Sequence, residues 1–143
     1  MGAWGYGTFE NDAALDWAGD FASDPSRRAL SRTWETIRCA GYIDADQAAA
    51  ALAAAEVLAA MIGKPSEVLP DDLAKWAGEN PIEPVIPDGE LAAGALHAIM
   101  LIGERSELME QIEESGGTEE WSAVVDDLAR RISSLVDRFP KKE

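Results

Sequence analysis

The chain has 143 residues, 47% of them hydrophobic, which is enough for one folded core and too many for a disordered chain. Its formal net charge of −15 disfavours nucleic acid and anionic membranes and favours basic partners or cations. A lone cysteine, Cys39, excludes an internal disulfide and suits a reducing cytoplasm, and the N-terminus does not read as a signal peptide.

The first ten residues are a glycine-aromatic lead, with Gly2, Gly5 and Gly7 interleaved with Trp4, Tyr6 and Phe9. Asn11 or Asp12 then caps a short helix, in which Ala14, Trp17, Ala18 and Phe21 recur at helical spacing. A second helix is expected to open with Asp24 as cap and Pro25 at its first position, to carry an apolar stripe of Leu30, Trp34 and Ile37, and to stop at Gly41. Asp44-x-x-Gln47 is a capping box for a third helix. From Ala48 to Ile62 only Glu56 is polar, so this helix belongs in the middle of a bundle, with Glu56 on its one outward strip. That apolar run reads as too short and too alanine-rich to span a bilayer. Gly63 and Pro65 end it.

A short helix is predicted over 71–78. Pro81, Pro84 and Pro87 then forbid helix across 80–88 and mark a hinge candidate. Helix resumes over 89–115, nearly all apolar from Leu91 to Ile102 except for His97, with a kink or fresh cap near Gly103 and Ser106. After Gly116 and Gly117, Thr118 is expected to cap the last helix. Its stripe is Trp121, Val125, Leu128, Ile132, Leu135 and Phe139, it carries the i,i+4 pairs Asp126–Arg130 and Asp127–Arg131, and Pro140 stops it. No strand pattern or internal repeat is evident. The expected fold is all-α: a compact bundle of about six helices around central helices 45–62 and 90–102, in a single domain spanning 1–143, with the proline-rich connection 80–88 inside it.

The opening Met1-Gly2-Ala3-Trp4-Gly5-Tyr6-Gly7-Thr8-Phe9-Glu10-Asn11-Asp12, followed by Leu15-Asp16-Trp17, is the most unusual segment. It resembles the bacterial domain-of-unknown-function 4259 family, whose members open with Met-Gly-Ala-Trp-Gly, then Phe-Glu-Asn-Asp and Leu-Asp-Trp. The resemblance is close over about the first 20 residues and looser through Leu69–Leu73 and Ser106–Gly116. It implies a short helical bacterial protein and brings no activity and no catalytic residues. Trp4, Gly5, Gly7, Phe9, Asn11 and Trp17 are read as a structural motif. The glycines permit a tight turn and the aromatics cap the core, whereas a phosphate loop would need a third glycine and a preceding strand.

Three groups of residues could carry chemistry. Asp12, Asp16 and Asp20 fall on one helix face, where like charges repel. Pairing with Arg27, Arg28 and Arg32 of the next helix is the first reading, and plain solvation of the face or a divalent cation held by Glu10, Asp12 and Asp16 are the alternatives. Glu104, Glu107, Glu110 and Glu113, with Glu114, form an acidic row suited to a basic partner or simply to solvent. His97, the only histidine, reads as a hydrogen-bonded core or boundary residue. It excludes a histidine-rich metal site, and no Glu-x-x-His or nucleophile-elbow motif is present.

Charge is distributed unevenly. Residues 27–40 carry +3, while residues 41–120 carry 17 acids against Lys64, Lys75 and Arg105. The reading that follows is a cytoplasmic, non-enzymatic protein-binding or inhibitory module of the immunity type, with an acidic face for a basic protein and no cofactor. A divalent-metal-dependent module or hydrolase using the N-terminal carboxylates, and a structural homo-oligomer joined through its apolar helices, are the alternatives.

Overall fold

A computed structural model describes residues 7–83 and 86–136, so Trp4, Gly5, Phe139 and Pro140 lie outside the described residues. Seven helices occur among those described: α1 (Asp12–Ser23), α2 (Arg27–Cys39), α3 (Ala45–Ile62), α4 (Asp71–Glu79), α5 (Ile86–Arg105), α6 (Glu107–Ser115) and α7 (Thr118–Val136). They form an all-α bundle. Helix α3 is its axis and packs against each of the other six.

The alanines explain that position. Ala48, Ala51, Ala53, Ala54, Ala55 and Ala59 are buried on all sides of α3, and their small side chains let neighbouring helices come close. Helix α3 is also the one described helix long and apolar enough to cross a membrane, which corrects the expectation that the run is too short. It begins at Ala45, ahead of the stretch from Ala48 in which only Glu56 is polar, and 72% of it is buried inside the bundle. The capping box forms as read, with Asp44 accepting from Gln47 N–H and Gln47 accepting from Asp44 N–H. Gly63 ends the helix at φ 100°, a left-handed conformation that glycine adopts without strain.

Helix α7 closes the bundle with Trp121, Val125, Leu128, Ile132 and Leu135. At about 1.5–3 kcal/mol for each buried side chain, this stripe outweighs the helix's surface ion pairs, worth about 0.2–0.5 kcal/mol each. Of the two expected pairs, Asp127–Arg131 forms at 2.9 Å. Asp126–Arg130 does not form.

Several local expectations change. Ser26, not Asp24, caps α2: its Oγ accepts from Ala29 N–H, which leaves Pro25 ahead of the helix. Gly117 rather than Thr118 precedes α7, and its carbonyl receives Trp121 N–H. The proline-rich connection is shorter than expected because α5 starts at Ile86. Pro87 then lies in the first turn, where its missing N–H costs nothing. The described ends of that connection are pinned rather than hinged. Ile82 is buried and donates to Met61 O at 3.0 Å, and Asp88 accepts from Glu83 N–H at 3.0 Å. The break near Gly103 is real: Ser106 separates α5 from α6 and caps α6 through Met109 N–H.

Candidate functional site

Three helix beginnings meet on one side of α3. Asn11 caps α1 by accepting from Ala14 N–H at 2.8 Å. Asp44 caps α3 beside it. Helix α6 arrives through a short parallel bridge in which Glu107 N–H donates to Ile43 O at 2.9 Å, and the Glu107 carboxylate accepts from Ala45 N–H at 2.8 Å. Between these starts lies an open cleft of about 580 Å³. Asp12, Asp16, Asp44, Asp46 and Glu107 supply its charge, Ala13, Ala45, Ala49 and Leu108 its apolar lining, and no basic residue lines it.

Five carboxylates on one cleft give it a one-sided negative field that calls for compensation. The helix starts supply part of the compensation, because each carries a partial positive charge worth about 0.3–1 kcal/mol to a nearby anion. Asp12, Asp46 and Glu107 occupy first turns and receive it. Asp44 and Glu107 are further engaged as caps. Asp16 sits a turn deeper in α1, beyond the reach of this effect, and four residues from the like charge of Asp12. Among the described residues the side chains of Asp12, Asp16 and Asp46 make no hydrogen bond and no ion pair, and all three are exposed.

Tyr42 stands at the rim, 60% exposed. Its phenol is held above the usual tyrosine range by desolvation and by the nearby charges of Glu107, Glu110 and Asp44. Leu15, another large exposed apolar side chain, lies on α1 between Asp12 and Asp16.

The structure redistributes the residues expected to form sites. Of the acidic row, Glu107 alone lines the cleft. Glu104 is left behind at the end of α5 by the break at Ser106, while Glu110, Glu113 and Glu114 are exposed on α6. Glu10 is half-buried beside Gly7, where a Cβ would come within 2.6 Å of its Oε1. Among the described residues no three histidine, cysteine, aspartate or glutamate side chains converge as a metal site, so Glu10, Asp12 and Asp16 are not brought together as ligands. The expected arginine pairing with Asp16 and Asp20 does not form either. Arg27 instead turns to the buried Asp88, with its Nε 3.4 Å from Asp88 Oδ1 and its Nη2 donating to Pro81 O at 2.9 Å. His97 is exposed on α5, not a core or boundary residue.

The largest correction concerns Glu56. It is 2% exposed rather than on an outward strip. Arg131 grips it through two nitrogens, Nη1 to Oε1 at 2.9 Å and Nη2 to Oε2 at 3.2 Å, and Thr8 Oγ1 donates to Oε2 at 3.2 Å. Arg131 also donates to Lys64 O and Asp127. Burial works against the guanidinium charge, but the hydrogen bonds and charges of Glu56 and Asp127 outweigh it and raise the Arg131 pKa. Thr8, and the second role of Arg131 at Glu56 beside its expected pairing with Asp127, escaped the sequence reading because the partners lie 48 and 75 residues apart.

The opening motif now has a physical account over its described part. Phe9 is buried in the core, Thr8 reaches Glu56, and Asn11 both caps α1 and donates to Thr8 O at 3.3 Å. Trp17 stacks on Phe21 with ring centroids 4.9 Å apart and donates to Thr33 Oγ1. The model of a domain of unknown function (DUF4259) matches residues 2–124. The chain belongs to this family. No curated protein and no solved structure matches it.

Proposed function

We propose that this member of the family is a non-enzymatic, cytoplasmic binding module that holds a basic segment of a partner protein in the α1/α3/α6 cleft. An immunity-type inhibitor that masks a basic toxin is the most specific form of the reading. The observation that carries it is the cleft's one-sided chemistry: five carboxylates, no base, and three carboxylates without a partner among the described residues. Asp16 weighs most, since its charge there serves neither as a cap nor as a first-turn anion. A lysine- or arginine-rich segment would relieve the mutual repulsion, and the field of a −15 chain would speed its approach. Tyr42 and Leu15 offer exposed apolar surface beside the charge, the combination that anchors protein interfaces.

The test uses a lysine-rich peptide, or any basic protein co-isolated with this chain. Replacing Asp12, Asp16 and Asp46 together by Asn is expected to weaken binding at low salt at least about tenfold, mainly through slower association. Undiminished affinity in that variant, with loss in a Glu110→Gln/Glu113→Gln/Glu114→Gln variant, would move the site to the outer face of α6.

A further inference from the structure

We infer that Glu56 is the anchor that positions the cleft, acting through Thr8 and Asn11, with Arg131 as its counter-charge. The inference rests on the cleft reading only in its last step. The connections are continuous. Arg131 holds the Glu56 carboxylate from two nitrogens, and the same Oε2 accepts from Thr8. The Thr8 carbonyl accepts from Asn11 Nδ2, and Asn11 Oδ1 caps α1 where its first turns form one wall of the cleft.

Glu56 is nearly inaccessible, and α3, which carries it, is the axis on which the other helices rest. Fixing Thr8 to this point fixes where α1 begins, and therefore where Asp12 and Asp16 stand relative to Asp46 and Glu107. The threonine hydroxyl has no other hydrogen bond among the described residues. The match to the family model stops at residue 124, seven positions before Arg131, so in this chain the counter-charge of a buried residue inside the matched region comes from beyond it.

Amide hydrogen exchange tests this without any partner. Ala14 N–H, bonded to the Asn11 side chain, and Leu15 N–H, bonded to Asn11 O, report the start of α1, while Leu73 and Glu110 report the equivalent starts of α4 and α6. Thr8→Val is expected to speed exchange at Ala14 and Leu15 about tenfold, the worth of a hydrogen bond to a charged group, with Leu73 and Glu110 unchanged. Thr8→Ser should restore the slow rates. The double variant Glu56→Leu/Arg131→Met keeps an apolar interior yet removes the acceptor of Thr8, so it should reproduce the Thr8→Val pattern. Unchanged rates at Ala14 and Leu15, or equal acceleration at all four amides, would overturn the anchor.

Lysine-rich peptide affinity should fall with Thr8→Val and return with Thr8→Ser. Faster exchange with unaltered affinity would show that the anchor orders α1 without positioning a binding face, and would overturn the inference. Failure of the wild-type chain to bind the peptide would remove the functional reading and leave the exchange result standing.

Discussion

Around Glu56 one buried carboxylate receives two guanidinium nitrogens and a hydroxyl. In the cleft, five carboxylates share two cap contacts and the weak field of three helix starts, and three of them are left to solvent. Both arrangements hang on α3, one near its middle and one at its N-terminus. Where a carboxylate is buried, every donor it needs must come from within, because an unpaired buried charge costs several kcal/mol. Where carboxylates are exposed, water meets that need and the fold gains little from them. The buried carboxylate must keep its donors for the fold to stand, whereas the exposed ones can change with little cost to it, and it is these that we propose meet a partner.

The contrast can be broken most forcefully at Arg131. Replacing it by Met strands the Glu56 charge and is expected to cost about 3–5 kcal/mol of unfolding free energy, measured by chemical denaturation. Glu56→Leu/Arg131→Met should recover most of that loss, since a well-packed apolar pair replaces a buried ion pair at little net cost. A double variant as unstable as Arg131→Met alone would show that the pair is needed for more than mutual neutralisation. A smaller effect is expected at the caps: Asp44→Ala should cost about 0.5–2 kcal/mol because it breaks the capping box of the axial helix. Denaturation midpoints at constant slope would measure it.

In the cleft the expected effects are small and differ in sign. Asp16→Asn should stabilise the chain by about 0.2–0.5 kcal/mol at low salt by removing a like-charge neighbour of Asp12. Asp12→Asn and Asp46→Asn should be neutral or slightly destabilising, because each loses its interaction with a helix start. Equal and large destabilisation by all three would mean that the cleft is held together by these groups rather than left available by them.

The finest probe is Tyr42. In a Tyr6→Phe background it is the only tyrosine, and its ultraviolet titration should lie above the ordinary value of about 10. Glu107→Gln should lower it. Because the folded state holds this proton more tightly than the unfolded chain, the associated stability is present below the unfolded pKa and is lost as pH rises through the folded one. A titration at the ordinary value that Glu107→Gln leaves in place would detach Tyr42 from the cleft rim.

Much of the fold was legible in the sequence because its signals are local. The capping box at Asp44, the alanine run of α3, the glycine stops at Gly63 and Gly116 and the apolar stripe of α7 each depend on residues within a few turns. The site was legible only in fragments. Asp12 and Asp16 stood out by their spacing and Glu107 by its row, but their meeting depends on how α1 and α6 land on the start of α3. For the same reason Asp44 read only as a helix cap, and Asp46 was not singled out at all. Glu56 was misplaced because an outward strip is the ordinary place for a lone carboxylate on an apolar helix, and only Arg131, 75 residues on, makes burial tolerable. Arg27 was assigned to the nearer aspartates of α1, whereas the packing of α2 on α5 delivers it to Asp88.

The most direct test of the central claim is native mass spectrometry of the chain isolated from its own host, beside the Asp12→Asn/Asp16→Asn/Asp46→Asn variant and the Glu110→Gln/Glu113→Gln/Glu114→Gln variant. On the cleft reading, a basic protein is bound to the wild type and to the α6 variant and is absent from the cleft variant. The same basic protein retained by the cleft variant, or a wild-type chain that carries none, would contradict it.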